Sequence, residues 1–172
     1  MSPEQEYAYL FKRMNQICVE QNWGDPFSYA RSKEILAANT LGHKVADTFS
    51  GADAFNQDGK PVEYKSTTGK KVKGSYTGIS VHPTWEDQER YLREEKIGKY
   101  EQHYFNRFDN GRLVESWVMD GQTVLNILLP KFRNKFSTVL SNKDPRLSAN
   151  ITNYDIKAFG KKVQLKGENS EN

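Results

Sequence analysis

Cysteine is nearly absent: Cys18 stands alone in 172 residues. No disulfide can form within the chain, which excludes a disulfide-stapled secreted scaffold and suits a reducing cytoplasm. Long apolar runs are missing too. Hydrophobic residues make up 36% of the chain, and no stretch approaches the roughly 20 apolar residues that span a bilayer. No signal-peptide pattern opens the sequence, so the expectation is a cytoplasmic protein with no membrane role. There is no internal repeat, and no low-complexity tract beyond a polar tail at residues 167–172, which is expected to fray. No nucleotide cofactor is expected. Charge of one sign is not in surplus either. The net charge is only +3, so a basic surface has to come from uneven placement.

The placement is uneven. Lys60, Lys65, Lys70, Lys71 and Lys73 crowd one segment, and Lys157, Lys161, Lys162 and Lys166 crowd another. The acids Glu86, Asp87, Glu89, Glu94 and Glu95 gather between them. Lysine clusters of this kind are phosphate-contacting surfaces when they flank a phosphodiesterase site. The length fits one domain over residues 1–166, with enough chain for a real core.

Periodicity assigns the elements. Residues 2–20 read as a helix, with Ser2 as cap, Pro3 in the first turn, and Tyr7, Leu10, Phe11, Met14, Ile17 and Cys18 on one face. Residues 29–39 form a second helix, carrying Glu34. A strand over 42–49, another over 73–81 and a charged helix near Thr84 follow. Residues 100–108 and 112–119 pair about Asp109-Asn110-Gly111. An apolar helical pattern runs from an Asp120 cap through Phe136, and Pro130 is expected to kink it or split it in two. Residues 150–159 and 162–165 read as late strands. The composite is an α+β fold with a central mixed β-sheet flanked by helices.

The most informative segment is residues 51–67. Asp53 lies ten residues before Glu63-Tyr64-Lys65, and the turn dipeptide Asp58-Gly59 lies between them. Folding at that turn carries Asp53 towards Glu63. Strand alternation puts Glu63 and Lys65 on one face and turns Tyr64 away. Two carboxylates and a lysine then converge, which suits a metal-dependent phosphodiesterase. Mg²⁺ prefers oxygen ligands and keeps several waters, so Asp53, Glu63 and the Tyr64 carbonyl are the expected ligands. Such an ion acidifies water and polarises a phosphoryl oxygen, while a lysine beside it orients the nucleophile.

With those residues in view, the chain resembles the PD-(D/E)xK nucleases, and within them the PvuII-like type II restriction endonucleases. The resemblance covers roughly residues 24–163. Besides the hairpin it rests on Gly24-Asp25-Pro26-Phe27 with residues 33–42, on residues 74–83, on Ile97-Gly98-Lys99-Tyr100-Glu101-Gln102, and on Asn150 with Ile156-Lys157. It implies a restriction-endonuclease-like fold, Mg²⁺ as cofactor, double-stranded DNA as partner and a homodimer. Asp53 and Glu63 are then metal ligands, Lys65 is the catalytic lysine, and Tyr100 sits near the metal. Ser75, Thr77, Ser80, His82, Asn150 and Asn153 are the expected base-reading positions. Lys70, Lys71 and Lys157 are the expected phosphate contacts. The helix at 2–20 is the expected dimerisation element, its alternative being to pack on its own sheet. There are departures. Residues 84–95 look inserted, and Ile79 and Ser80 stand where such enzymes carry guanine-reading histidines, so the recognised sequence is expected to differ. His43 and His103 match no role and are expected to be ordinary surface or strand residues. Two other readings stay open: a repair, junction-resolving or phage nuclease of the same fold, and a DNA-binding protein without cleavage.

Overall fold

The computed structural model describes residues 1–48 and 50–165. The expected tail at 167–172 and position Phe49 of the expected strand lie outside them. Helix α1, Pro3–Glu20, begins at a reciprocal cap: the Ser2 hydroxyl accepts the Gln5 N–H, and the Gln5 side chain accepts the Ser2 N–H at 2.8 Å. Helix α2, Arg31–Leu41, ends on Gly42 at φ 72°, a left-handed stop that glycine takes without strain.

Three strands follow: β1 (Lys44–Val45), β2 (Ala54–Phe55) and β3 (Pro61–Thr67). The strand expected over 42–49 shrinks to β1. The chain leaves the ladder because polar groups there bond locally: Ser50 Oγ donates to the Asp47 carbonyl at 2.8 Å, and Thr48 bonds the Asn22 carbonyl. Strand β4, Gly74–Ser80, is followed by helix α3, Trp85–Tyr91, capped by Thr84, and by a π-helical turn, Leu92–Lys96. Strands β5 (Gln102–Asp109) and β6 (Arg112–Asp120) join through Asn110 and Gly111, at φ 45° and 75°. Two consecutive left-handed residues give the tight turn whose twist matches the strands.

Helix α4, Gly121–Leu140, continues through Pro130 as one helix rather than splitting in two. Proline forfeits one backbone bond, but here it faces solvent. Val124, Leu125, Leu128 and Leu129 before it and Phe132 and Phe136 after it are buried in one core. That burial keeps the helix continuous against the roughly 3 kcal/mol that an interior proline costs. Strand β7, Arg146–Ile151, stops short of the expected 150–159 strand. Residues Asn153–Phe159 are instead helix α5. Its start is fixed by Thr152 and Asp155, whose side chains each accept the other's backbone N–H, at 3.1 and 2.9 Å. Strand β8 is only Lys161–Lys162, both exposed, rather than 162–165.

The architecture is therefore α+β. Six strands form a mixed sheet in the order β1-β2-β3-β5-β6-β8, parallel only between β3 and β5. Strands β4 and β7 form a separate antiparallel ribbon rather than joining that sheet. Val62, Tyr64 and Tyr104 face α2 in one core. Phe105, α4 and the ribbon residues Tyr76, Leu147 and Ile151 make the other. Gly74 lets the ribbon approach: a Cβ there would strike the Phe105 ring and touch the Lys65 Cβ. Among the described residues no helix is long and apolar enough to cross a membrane.

Candidate active site

The hairpin delivers the expected pair. Ala54 pairs with Val62 in antiparallel register, which brings Asp53, just outside the ladder, near Glu63. The Asp53 backbone is held on both sides, donating to the Val62 carbonyl and accepting from the Ala46 N–H, each at 3.2 Å. The loop is closed by Asn56, whose Oδ1 accepts the N–H groups of Asp58 and Lys60, with Gly59 at φ 75°. Asn56 Nδ2 and Lys60 then tie the hairpin to Gln102 and Glu101 at the start of β5.

On this frame Lys65 Nζ donates to Glu63 Oε1 at 2.5 Å and stands 4.8 Å over the Tyr76 ring. Asp53 Oδ2 accepts the Tyr64 N–H at 2.7 Å. The Tyr64 side chain points to the opposite face, as alternation requires. It is buried against Tyr104, and its hydroxyl meets His43 Nδ1 at 2.7 Å. Tyr100 donates its hydroxyl to the Gly51 carbonyl and lies within reach of the Glu63 carboxylate; burial first, and then Glu63 and Asp53, raise its ionisation above the usual phenol range. Asp53, Glu63 and Tyr100 line an open cleft of about 510 Å³ together with Tyr29, Glu34 and Lys96.

Asp53 and the two carboxylates that act on it, Glu63 and Glu34, are not equivalent. Glu34 has Arg31 at 3.1 Å, and Glu63 has Lys65. Asp53 has no side-chain cation paired with it among the described residues. Desolvation, then repulsion from Glu63 and Glu34, pushes its carboxyl up to about 7. The proton belongs to the coupled group as much as to Asp53 itself. Among the described residues no three His, Cys, Asp or Glu side chains close a metal shell by themselves. The donors present are hard oxygens, and Asp53 has no paired side-chain cation among the described residues. That donor set fits a Mg²⁺ that keeps most of its waters.

The expected DNA-contacting residues divide by location. Lys70 and Lys71 are exposed in the loop from β3 to β4. Ser75 and Asn150 are register partners across the ribbon, at its end nearest Lys65. Thr77 is exposed in a bulge between Tyr76 and Ile79. The Ser80 hydroxyl accepts from Arg146. His82 is half-buried, its ring 4.6 Å from Tyr91 and its N–H bonded to Gln88. Asn153 opens α5, directly after the ribbon. Lys157, further along α5, stands near Glu115 on β6, two strands from β3 and apart from the carboxylates.

His103 is not a surface residue. It is fully buried on β5, with Nδ1 against the Tyr76 hydroxyl at 2.9 Å and Nε2 against the Ile97 carbonyl at 3.1 Å; burial lowers it to about 4, so it is neutral. It braces Tyr76, on whose ring Lys65 rests. His43 is half-buried. Sequence reasoning left Glu34, Arg31, Lys96 and Tyr29 out of the site. Arg31 and Glu34 share an i,i+3 spacing, but nothing local says which cleft that pair faces. Comparison with known protein families and with curated proteins finds no match for this chain.

Proposed function

We propose that this chain is a Mg²⁺-dependent endonuclease of the type II restriction kind, with the restriction-endonuclease-like fold, hydrolysing phosphodiester bonds at specific sites in double-stranded DNA as a homodimer. One observation carries the reading: Asp53 and Glu63 line one open cleft, and Lys65 is bonded to Glu63. A binding protein needs lysines, but carboxylates facing phosphates weaken binding unless a cation lies between them.

Asp53, Glu63 and the Tyr64 carbonyl would hold Mg²⁺, which supplies an acidified water and a polarised phosphoryl group. The chain's own groups do the rest. Lys65, already aimed at Glu63 and supported by the Tyr76 ring, orients the attacking water and offsets charge gathering on the phosphate. The neutral Tyr100 hydroxyl fixes the 51–53 segment through the Gly51 carbonyl and so holds Asp53 in place. Ser75 and Asn150, adjacent on the ribbon, offer a hydroxyl and an amide to base edges. Lys70 and Lys71 hold phosphates.

The homodimer is supported by α1. Of its 18 residues only Cys18 is buried, while Tyr7, Leu10, Phe11 and Met14 are exposed. That face does not pack on the chain's own sheet. Two symmetric sites would let both DNA strands be cut.

The test is digestion of a long, sequenced duplex with Mg²⁺. Discrete fragments with constant ends are expected. A smear, or cleavage confined to branched or damaged DNA, would move the reading to a repair or junction nuclease.

A further inference from the structure

Tyr29 spends stability without gaining any for the fold. It is 107% exposed and its backbone is left-handed at φ 51°. A non-glycine residue is strained there, and a ring left in water forgoes burial. Yet the segment around it is braced. The Asp25 carboxylate takes the Phe27 N–H at 2.9 Å and the Ser28 hydroxyl at 2.5 Å. The Ser32 hydroxyl holds the Pro26 carbonyl, and the Arg31 guanidinium holds the carbonyls of Trp23 and Ala46. Phe27 stacks on Phe11 with ring centroids 4.0 Å apart. These contacts hold the backbone on both sides of the left-handed turn, and Tyr29 lies on the cleft that Asp53, Glu63 and Tyr100 line. Lys96 reaches the same cleft from the π-helical turn. That turn closes only because Gly98 has no Cβ to strike the Arg93 carbonyl. An exposed tyrosine and a lysine, with no side-chain partner among the described residues, thus share one cleft with the carboxylates.

We propose that Tyr29 is a DNA-contacting residue whose ring packs on the base or deoxyribose of the nucleotide beside the scissile phosphate, with Lys96 on a flanking phosphate. This rests on the nuclease reading. Stacking needs the ring and not the hydroxyl, and the strained backbone makes glycine an informative replacement.

The experiment compares Tyr29→Gly and Tyr29→Phe with wild type on a sequenced plasmid in Mg²⁺, following kcat/KM and Tm. Tyr29→Gly should keep or raise Tm, because it relieves the left-handed strain, while lowering kcat/KM by about 5- to 150-fold. Tyr29→Phe should stay near wild type. Once the cut is mapped, 2-aminopurine placed next to it should be quenched by wild type in Ca²⁺ and not by Tyr29→Gly. Wild-type kcat/KM in Tyr29→Gly overturns the inference and leaves the nuclease reading intact. A fall in Tm that accompanies the fall in activity makes Tyr29 structural and also overturns it, as does an equal loss in Tyr29→Phe. A wild-type protein that cleaves no DNA overturns both.

Discussion

Asp53 is the residue on which the site turns, because burial and the neighbouring Glu63 and Glu34 carboxylates raise it and no side-chain cation pairs with it among the described residues. Its value of about 7 has a consequence for metal binding. A proton must leave before Mg²⁺ can coordinate. Affinity should therefore rise about tenfold per pH unit up to the folded value and level off above it. Calorimetric Mg²⁺ titrations from pH 5.5 to 8.5 should show that break, and Asp53→Asn should bind weakly with no break. The sign for stability follows from the same shift. A raised carboxyl contributes stability that is fully present below its unfolded value of 3.8 and is lost as pH rises through about 7. Without metal, Asp53→Asn should be more stable than wild type at pH 8, while at pH 3 the two should match. A pH-independent Mg²⁺ affinity would show that Asp53 is not the ligand. At this scale Asp53, Glu63 and Lys65 were legible in the sequence because one local turn brings them together. Glu34 and Tyr29 were not, since they reach the cleft only through the packing of α2 and its preceding loop on the hairpin.

Among the elements, the β4–β7 ribbon decides how recognition is tested. The late strand expected over 150–159 lies instead at Arg146–Ile151, and nothing in the sequence said that it would pair with β4 rather than join the main sheet. The α5 helix was announced by Thr152 and Asp155 at capping spacing, a signal that outweighs the weak alternation beyond Ile151. Helix α4 did not split at Pro130 because its buried residues lie on both sides of it. Asn150 sits beside Ser75 at the ribbon end near Lys65, its carbonyl fixed by Lys131 at 2.8 Å. Lys70 hangs free in the loop. Asn150→Ala should lose about 1–3 kcal/mol on the cognate duplex and little on others, relaxing one position of the site. Lys70→Ala should weaken binding to every sequence and flatten its salt dependence. Titrations of both variants on cognate and non-cognate duplexes over a salt series separate the two roles. Equal losses on the two duplexes would show that the ribbon does not read bases.

For the molecule as a whole, the proposed reading joins the exposed apolar face of α1 and the carboxylate cleft in one activity. The periodicity of residues 2–20 made the helix legible, and its cap fixed the start. What the sequence left undecided was whether the face packs inward, because that depends on where the sheet ends. In the fold it does not: Tyr7 is 71% exposed and Leu10 51%. Leu10→Glu with Met14→Glu should convert a dimer into a folded monomer in light scattering and strip away concerted double-strand cutting. A wild-type monomer at micromolar concentration, free and on DNA, would remove the dimer from the account. The claim beneath all of this is that Asp53, Glu63 and Lys65 perform Mg²⁺-dependent hydrolysis of duplex DNA. Its most direct test is plasmid cleavage by wild type and by Asp53→Ala, Glu63→Ala and Lys65→Ala, each checked for native circular dichroism, with Mg²⁺ and with chelator. The account predicts defined fragments from wild type with Mg²⁺ alone, and a loss of about 100-fold or more in every variant. Cleavage by wild type in chelator, or by folded Asp53→Ala at the wild-type rate, would contradict it.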